Sequence, residues 1–238
     1  MNLKTLFALA VSVAAFNAQA ALITHEFNNG DDLSGWSTDR CAPQSFSIVD
    51  NELVMAIDGA SQNSCGTGFY ETQGMKLDIG MSTILSIDMY VDSANWLTDE
   101  RFAGIWGVAY DSADVISYYP ILEYFVSNGS GSIHAWDDIN GWADVGAGLI
   151  TPDAFNNFAF NISGGMIHYM INGQNAFTAS FGGHSYFGEV ILNAKNDGNS
   201  FNVRYDNLAY GVPEPASLAI LSAGLLLVGA TTKRRKTN

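Results

Sequence analysis

Between residues 96 and 142 the chain places Trp96, Trp106, Tyr110, Tyr118, Tyr119, Trp136 and Trp142 among Asp99, Arg101, Asp111, Asp137, Asp138 and Asn140. Flat rings interleaved with carboxylates, amides and a guanidinium suit the binding of sugars. Ring faces cover the apolar side of a pyranose, and the polar groups pair with its hydroxyls. The stretch HAWDDINGWADVG (134–146) reads as a loop carrying two indoles. The expected carbohydrate-binding residues are therefore Trp106, Tyr110, Trp136 and Trp142. Trp106 also sits in an alternating stretch, where a ring serves equally well as core, and both readings stay open. Trp36, just after a turn, reads as a packing plug.

Catalytic patterns are harder to find. Retaining glycoside hydrolysis needs two carboxyl groups about 5–5.5 Å apart, a spacing that Glu-x-Asp-x-Glu on one strand face would supply. No such triplet occurs; the glutamates of the body are Glu26, Glu52, Glu71, Glu100, Glu123 and Glu189. The adjacent pairs Asp99-Glu100 and Asp137-Asp138 would point to opposite faces of a strand. His25, His134, His168 and His184 show no metal-ligand spacing, and no G-x-S-x-G elbow is present. The expectation is a protein that is not an enzyme.

The elements that must hold these residues read as strands. STILSIDMYVD puts Thr83, Leu85, Ile87, Met89 and Val91 on one face. RFAGIWGVAYD sets Phe102, Trp106, Val108 and Tyr110 against small residues. In NNFAFNISGGMIHYMINGQ, Phe158, Phe160 and Ile162 precede Ser-Gly-Gly, then Ile167, Tyr169 and Ile171 lead to Asn172-Gly173, a hairpin signature. Two more strands flank Asn196-Asp197-Gly198. No window has helical period, so the fold class is all-β, an antiparallel β-sandwich of jelly-roll type spanning residues 21–211.

Charge narrows the partners. From Ala21 to Val212 there are five basic residues (Arg40, Lys76, Arg101, Lys195, Arg204) against 23 acidic ones. So acidic a body repels phosphate backbones, which excludes nucleic acid. Cys41 and Cys65 are the only cysteines. In an exported chain an even count reads as a disulfide, which would stabilise by roughly 3–4 kcal/mol; two buried thiols are the other reading.

Both ends read as addresses. In MNLKTLFALAVSVAAFNAQA, Lys4 precedes the apolar run 5–16, and Ala18-Gln19-Ala20 offers a small-x-small cleavage site, so residues 1–20 read as a signal peptide. At the other end Pro213-Glu214-Pro215 precedes an uncharged run at 216–232, and Lys233-Arg234-Arg235-Lys236 follows it. As a helix that run covers about 25 Å, close to the ~30 Å hydrocarbon core. It is expected to be a transmembrane helix with the basic tail 233–236 inside. This tripartite end (212–238) resembles the PEP-CTERM sorting signal of exported bacterial proteins. The resemblance implies recognition by an exosortase, transient anchoring in the inner membrane, and delivery to the envelope or outside the cell.

The body resembles the concanavalin A-like lectin/glucanase jelly roll. FNNGDDLSGWS (27–37), the hairpin at 158–173 and the last strand VRYDNLAYG (203–211) carry that likeness. Related jelly rolls hold a structural Ca²⁺ between first and last strands, which implies Glu26 and Asp206 as ligands here. The expected function is an exported, non-catalytic, polysaccharide-associated sandwich. The alternatives are a structural matrix protein without a discrete ligand site and a divergent glycan hydrolase.

Overall fold

Along ILSIDMYV, Leu85, Ile87, Met89 and Val91 are buried while the residues between them are only half-buried. One row packs and the other faces out, as period two requires. The structure, a computed structural model, describes residues 21–62, 72–95 and 100–212. The signal peptide 1–20, Cys65, Trp96, Asp99, the Pro213-Glu214-Pro215 motif, the helix expected at 216–232 and the basic tail lie outside the described residues.

In chain order the strands begin with β1 (Ala21–His25), β2 (Trp36–Arg40), β3 (Ser45–Val49), β4 (Glu52–Ile57), β5 (Thr72–Ser82) and β6 (Ile84–Val91). Next come β7 (Glu100–Tyr110), β8 (Ile116–Tyr118), β9 (Ile121–Ser127), β10 (Ser130–Asp137) and β11 (Gly141–Asp144). The last are β12 (Ala154–Ser163), β13 (Met166–Ile171), β14 (Gln174–Ser180), β15 (Tyr186–Lys195) and β16 (Phe201–Val212). They form the expected two-sheet antiparallel sandwich. The first sheet runs β14-β13-β12-β6-β16-β4-β3 with β1 beside β16. The second runs β11-β10-β9-β7-β15-β5-β2 with β8 beside β7.

Turn chemistry sets the hairpins. Gly164 and Gly165 take φ of 59° and 74° between β12 and β13, and Asn172 and Gly173 take 49° and 76° before β14. These are left-handed conformations that Gly and Asn reach at least cost. The core lies between the sheets. Leu85, Ile87, Phe158, Phe160 and Tyr169 come from the first; Ile105, Ala109, Leu122, Ile133, Phe187 and Leu192 come from the second.

Strand β7 departs from the expected faces. Its register against β9 shifts between Arg101 and Gly104. Phe102, Ala103, Ile105 and Ala109 join the core, while Trp106 and Val108 belong to a separate cluster with Ile121 and Ile191. The small face points inward because large rings from the first sheet already fill the space. Tyr205 reaches across to hydrogen-bond Gly104 O at 3.1 Å and Asn193 O at 3.3 Å. The stretch 134–146 is likewise not a simple loop: it contains the β10–β11 hairpin, with Trp136 directly opposite Trp142.

One expectation on export changes. Inner-membrane anchoring is corrected: among the described residues no helix is long and apolar enough to cross a membrane. The described residues accordingly show no C-terminal transmembrane helix. Cys41 is buried and is not a free thiol. Its expected partner, Cys65, is outside the described residues.

Candidate functional site on the outer face of the second sheet

The register of the second sheet lines up two rows on the face turned away from the core. One row runs Asp144–His134–Glu123–Gly104–Asn193–Gly74–Asp39 across β11, β10, β9, β7, β15, β5 and β2. The next row, two residues along, runs Trp142–Trp136–Ile121–Trp106–Ile191–Lys76–Ser37. Strand pairing thus gathers a polar row beside an aromatic one, from residues scattered over more than a hundred positions.

Glu123 is the hub of the polar row. It is fully buried, at 0% exposure. It accepts from Arg101 Nε and, at 2.7 Å, from Arg101 Nη2. Trp106 Nε1, at 2.7 Å, and Asn193 Nδ2, at 3.0 Å, both donate to Glu123 Oε1. A buried carboxylate needs such saturation, because desolvation would otherwise favour its neutral form. Gly104 makes the arrangement possible: lying between Glu123 and Asn193, it has no side chain to separate them. Asn193 Oδ1 is buried with no hydrogen-bond partner among the described residues.

The aromatic end is the more open one. Trp142 is 37% exposed and lies 5.4 Å from Trp136, ring centre to ring centre. Phe125 stacks on His134 at 4.1 Å and meets Trp142 edge-on at 5.2 Å. The Arg101 guanidinium stands 5.3 Å from the Trp142 ring. Burial lowers the pKa of His134, opposed by the charges of Asp144 and Glu123. Asp144 accepts from Ser132 Oγ and the Gly146 N–H.

Toward the other edge the face is closed. Arg40 lies over Trp106 with its guanidinium carbon 4.1 Å from the ring centre. Arg40 pairs with Asp39 at 2.6 Å, and Lys76 pairs with Glu189 at 3.0 Å. Burial raises the Asp39 pKa despite the Arg40 charge beside it. Tyr110 stacks face to face on Tyr186 at 5.6 Å.

The four expected sugar-binding residues thus fall on one face, but not as one exposed platform. Trp142 is exposed, Trp136 and Tyr110 are half-buried, and Trp106 is buried at 0%. Sequence reasoning missed Glu123, Arg101 as its partner, Asn193 and the Phe125–His134 stack. A glutamate flanked at i±2 by Ile121 and Phe125 was the available signal, since a charge on an apolar strand face must have a partner.

The expected Ca²⁺ ligands lie on neighbouring parts of the first sheet, Glu26 directly after β1 and Asp206 within β16, with which β1 pairs. Glu26 accepts from Asn28 Nδ2 at 3.4 Å and lines a cavity of about 400 Å³ with His25, Asp31 and Trp36. Burial raises the Asp206 pKa, with Asp88, Glu52 and Glu26 adding to it. Among the described residues no group of three or more His, Cys, Asp or Glu side chains is placed to hold a metal.

No protein-family model and no curated protein matches the chain. Solved structures do. A Bacillus licheniformis β-glucanase superposes with a TM-score of 0.54 at 11% identity, over 81% of this chain and 98% of that one. A Flavobacterium laminarinase gives 0.57 at 8% identity, over 81% and 100%. A Clostridium perfringens endo-β-galactosidase that releases GlcNAcα1-4Gal gives 0.60 at 13% identity, over 83% and 64%. At such identities the likeness is one of fold: the jelly roll of concanavalin A-like glycan hydrolases. It corrects the expectation that the chain is not an enzyme. A β-glucanase, a lichenase and a laminarinase are among the neighbours that share this fold, so the fold gives that expectation no support.

Proposed function

We propose that this chain is a divergent glycan-acting protein that holds a polysaccharide on the outer face of its second sheet. The observation that carries this is the register: Trp142 and Trp136 stand opposite each other, and His134 and Asp144 stand opposite each other two residues along. A sugar stacked on the exposed indole would have an imidazole, a carboxylate and the Arg101 guanidinium within reach of its hydroxyls. Glu123, with no exposed surface, orients Arg101 and Trp106 rather than touching substrate.

Two measurements test the reading. Trp136→Ala/Trp142→Ala should abolish retention on polysaccharide gels. Trp142→Ala alone should weaken retention with little change in melting temperature, since an exposed ring contributes few core contacts. A large loss of stability with retention unchanged would assign these rings to packing and overturn the proposal. Hydrolysis is favoured by the shared fold, and release of new reducing ends from neutral and acidic polysaccharides is its readout.

The remaining proposals concern the termini and the bridge. Residues 1–20 are proposed as a signal peptide, 21–211 as the sandwich, and 212–238 as a PEP-CTERM sorting signal read by an exosortase at Pro213-Glu214-Pro215. The intact mass of the mature protein checks each boundary. It also checks the proposed Cys41–Cys65 disulfide, whose formation removes two hydrogen atoms.

A further inference from the structure

We propose that Arg40 determines how far a glycan can stack across the outer face, by occupying the ring face of Trp106 at its centre; this rests on reading that face as a glycan site. Trp106 is the next aromatic after Trp136 along its row, and its indole is pinned by the bond from Nε1 to Glu123. The Arg40 guanidinium carbon sits 4.1 Å above the ring centre. That is where the C–H face of a pyranose would lie in a stacked complex, and the two cannot share it.

Arg40 is held in that place on several sides. Its Nε donates to Thr72 Oγ1 at 2.9 Å, and Asp39 pairs with it at 2.6 Å. Its backbone takes φ of 54° at the end of β2. Nine non-glycine residues are described with positive φ, and seven are Asn or Asp; Phe27 and Arg40 are the exceptions. A long side chain in this conformation is disfavoured, so its persistence calls for a compensating contact, and the indole stack is one.

The covered centre holds unused recognition capacity. Asn193 stands opposite Gly104 and shares Glu123 Oε1 with Trp106, and its Oδ1 is a buried acceptor with no partner among the described residues. A hydroxyl of a sugar seated on Trp106 would supply the missing donor. With Arg40 in place, stacking ends at Trp136. With Arg40 gone, the row gains one further subsite.

Arg40→Gly is the decisive variant, because glycine removes the side chain and suits the positive φ. The first readout needs no glycan: N-bromosuccinimide oxidation located by peptide mass. Trp142 should oxidise in both proteins, and Trp106 only in the variant. The second readout is affinity for a ladder of short β-linked gluco-oligosaccharides. The longest should bind the variant about tenfold more tightly, equivalent to 1.4 kcal/mol, and the shortest equally. If Arg40→Gly fails to fold because Asp39 is left buried and unpaired, Asp39→Asn/Arg40→Gly takes its place with the same readouts. Equal oxidation of Trp106 in both proteins overturns the inference, as does an opened Trp106 with wild-type affinity along the whole ladder. Opened Trp106 with no binding by either protein overturns the glycan reading of the face itself.

Discussion

Glu123 shows how much one residue can organise on a sheet. Its carboxylate balances Arg101 and fixes both Trp106 and Asn193. Glu123→Gln keeps the shape but removes the charge and places an amide against the guanidinium. Breaking a buried pair in this way costs about 3–5 kcal/mol, and the partial exposure of Arg101 (16%) points to the lower end. Urea denaturation should therefore show a loss of about 3 kcal/mol, and near-ultraviolet dichroism should report a displaced indole. An unchanged midpoint would mean that the network does not hold Trp106. The aromatic half of the site was legible in the sequence, because Trp136 and Trp142 are close along the chain and their turn is short. The Arg101–Glu123 pair was not, since it depends on which residues of β7 and β9 face each other, and a register shift separates them.

At the scale of the strand, β7 carries the site by what it lacks. A β-carbon on Gly104 would come within 2.1 Å of Leu122 O and 2.5 Å of Glu123 Cγ. The first of these is backbone and cannot swing aside, so Gly104→Ala must push β9 away from β7. Overpacking costs typically 1–3 kcal/mol, and here about 3 kcal/mol is expected, with the Trp106–Glu123 bond disturbed as well. Gly148→Ala is the control: a β-carbon there meets nothing within 4 Å, so its melting temperature should stay within a degree or so of wild type. Equal melting of the two variants would mean that β7 and β9 tolerate separation. Strands such as β6 and β13 were legible because strict alternation of Leu, Ile and Tyr records burial residue by residue. The facing of β7 was not. Its shift against β9 changes which side chains look inward, and only the bulk supplied by the opposing sheet decides that small residues go there.

Across the whole molecule, buried phenols fasten the two sheets together. Tyr205 of the first sheet bonds to backbone carbonyls of β7 and β15. Tyr169, also of the first sheet, bonds to Tyr118 Oη at 2.6 Å and donates to Trp136 O at 2.9 Å, directly behind the aromatic row. Burial raises the pKa of Tyr118, Tyr124, Tyr169 and Tyr205 well above that of a free phenol. Half-buried Tyr186 is pushed up to about 12, mainly by its hydrogen bond to Asp114. For a group whose folded pKa is raised, the unfolded chain loses its proton first as pH climbs. The stabilisation is therefore complete below about pH 10, the unfolded value, and declines above it. For Tyr169 and Tyr205, the most deeply enclosed, each pH unit beyond 10 should cost about 1.4 kcal/mol apiece. Tyr118 and Tyr124 add to that loss in the same sense, so against a total of about 5–15 kcal/mol for an ordinary domain the sandwich should open cooperatively at roughly pH 12 or above. Absorbance at the tyrosinate band, followed with near-ultraviolet dichroism, should show the exposed phenols ionising first. The buried ones should ionise only as the tertiary signal collapses. Smooth ionisation of all ten tyrosines with the dichroism intact would mean that these hydroxyls are open to solvent and do not fasten the sheets.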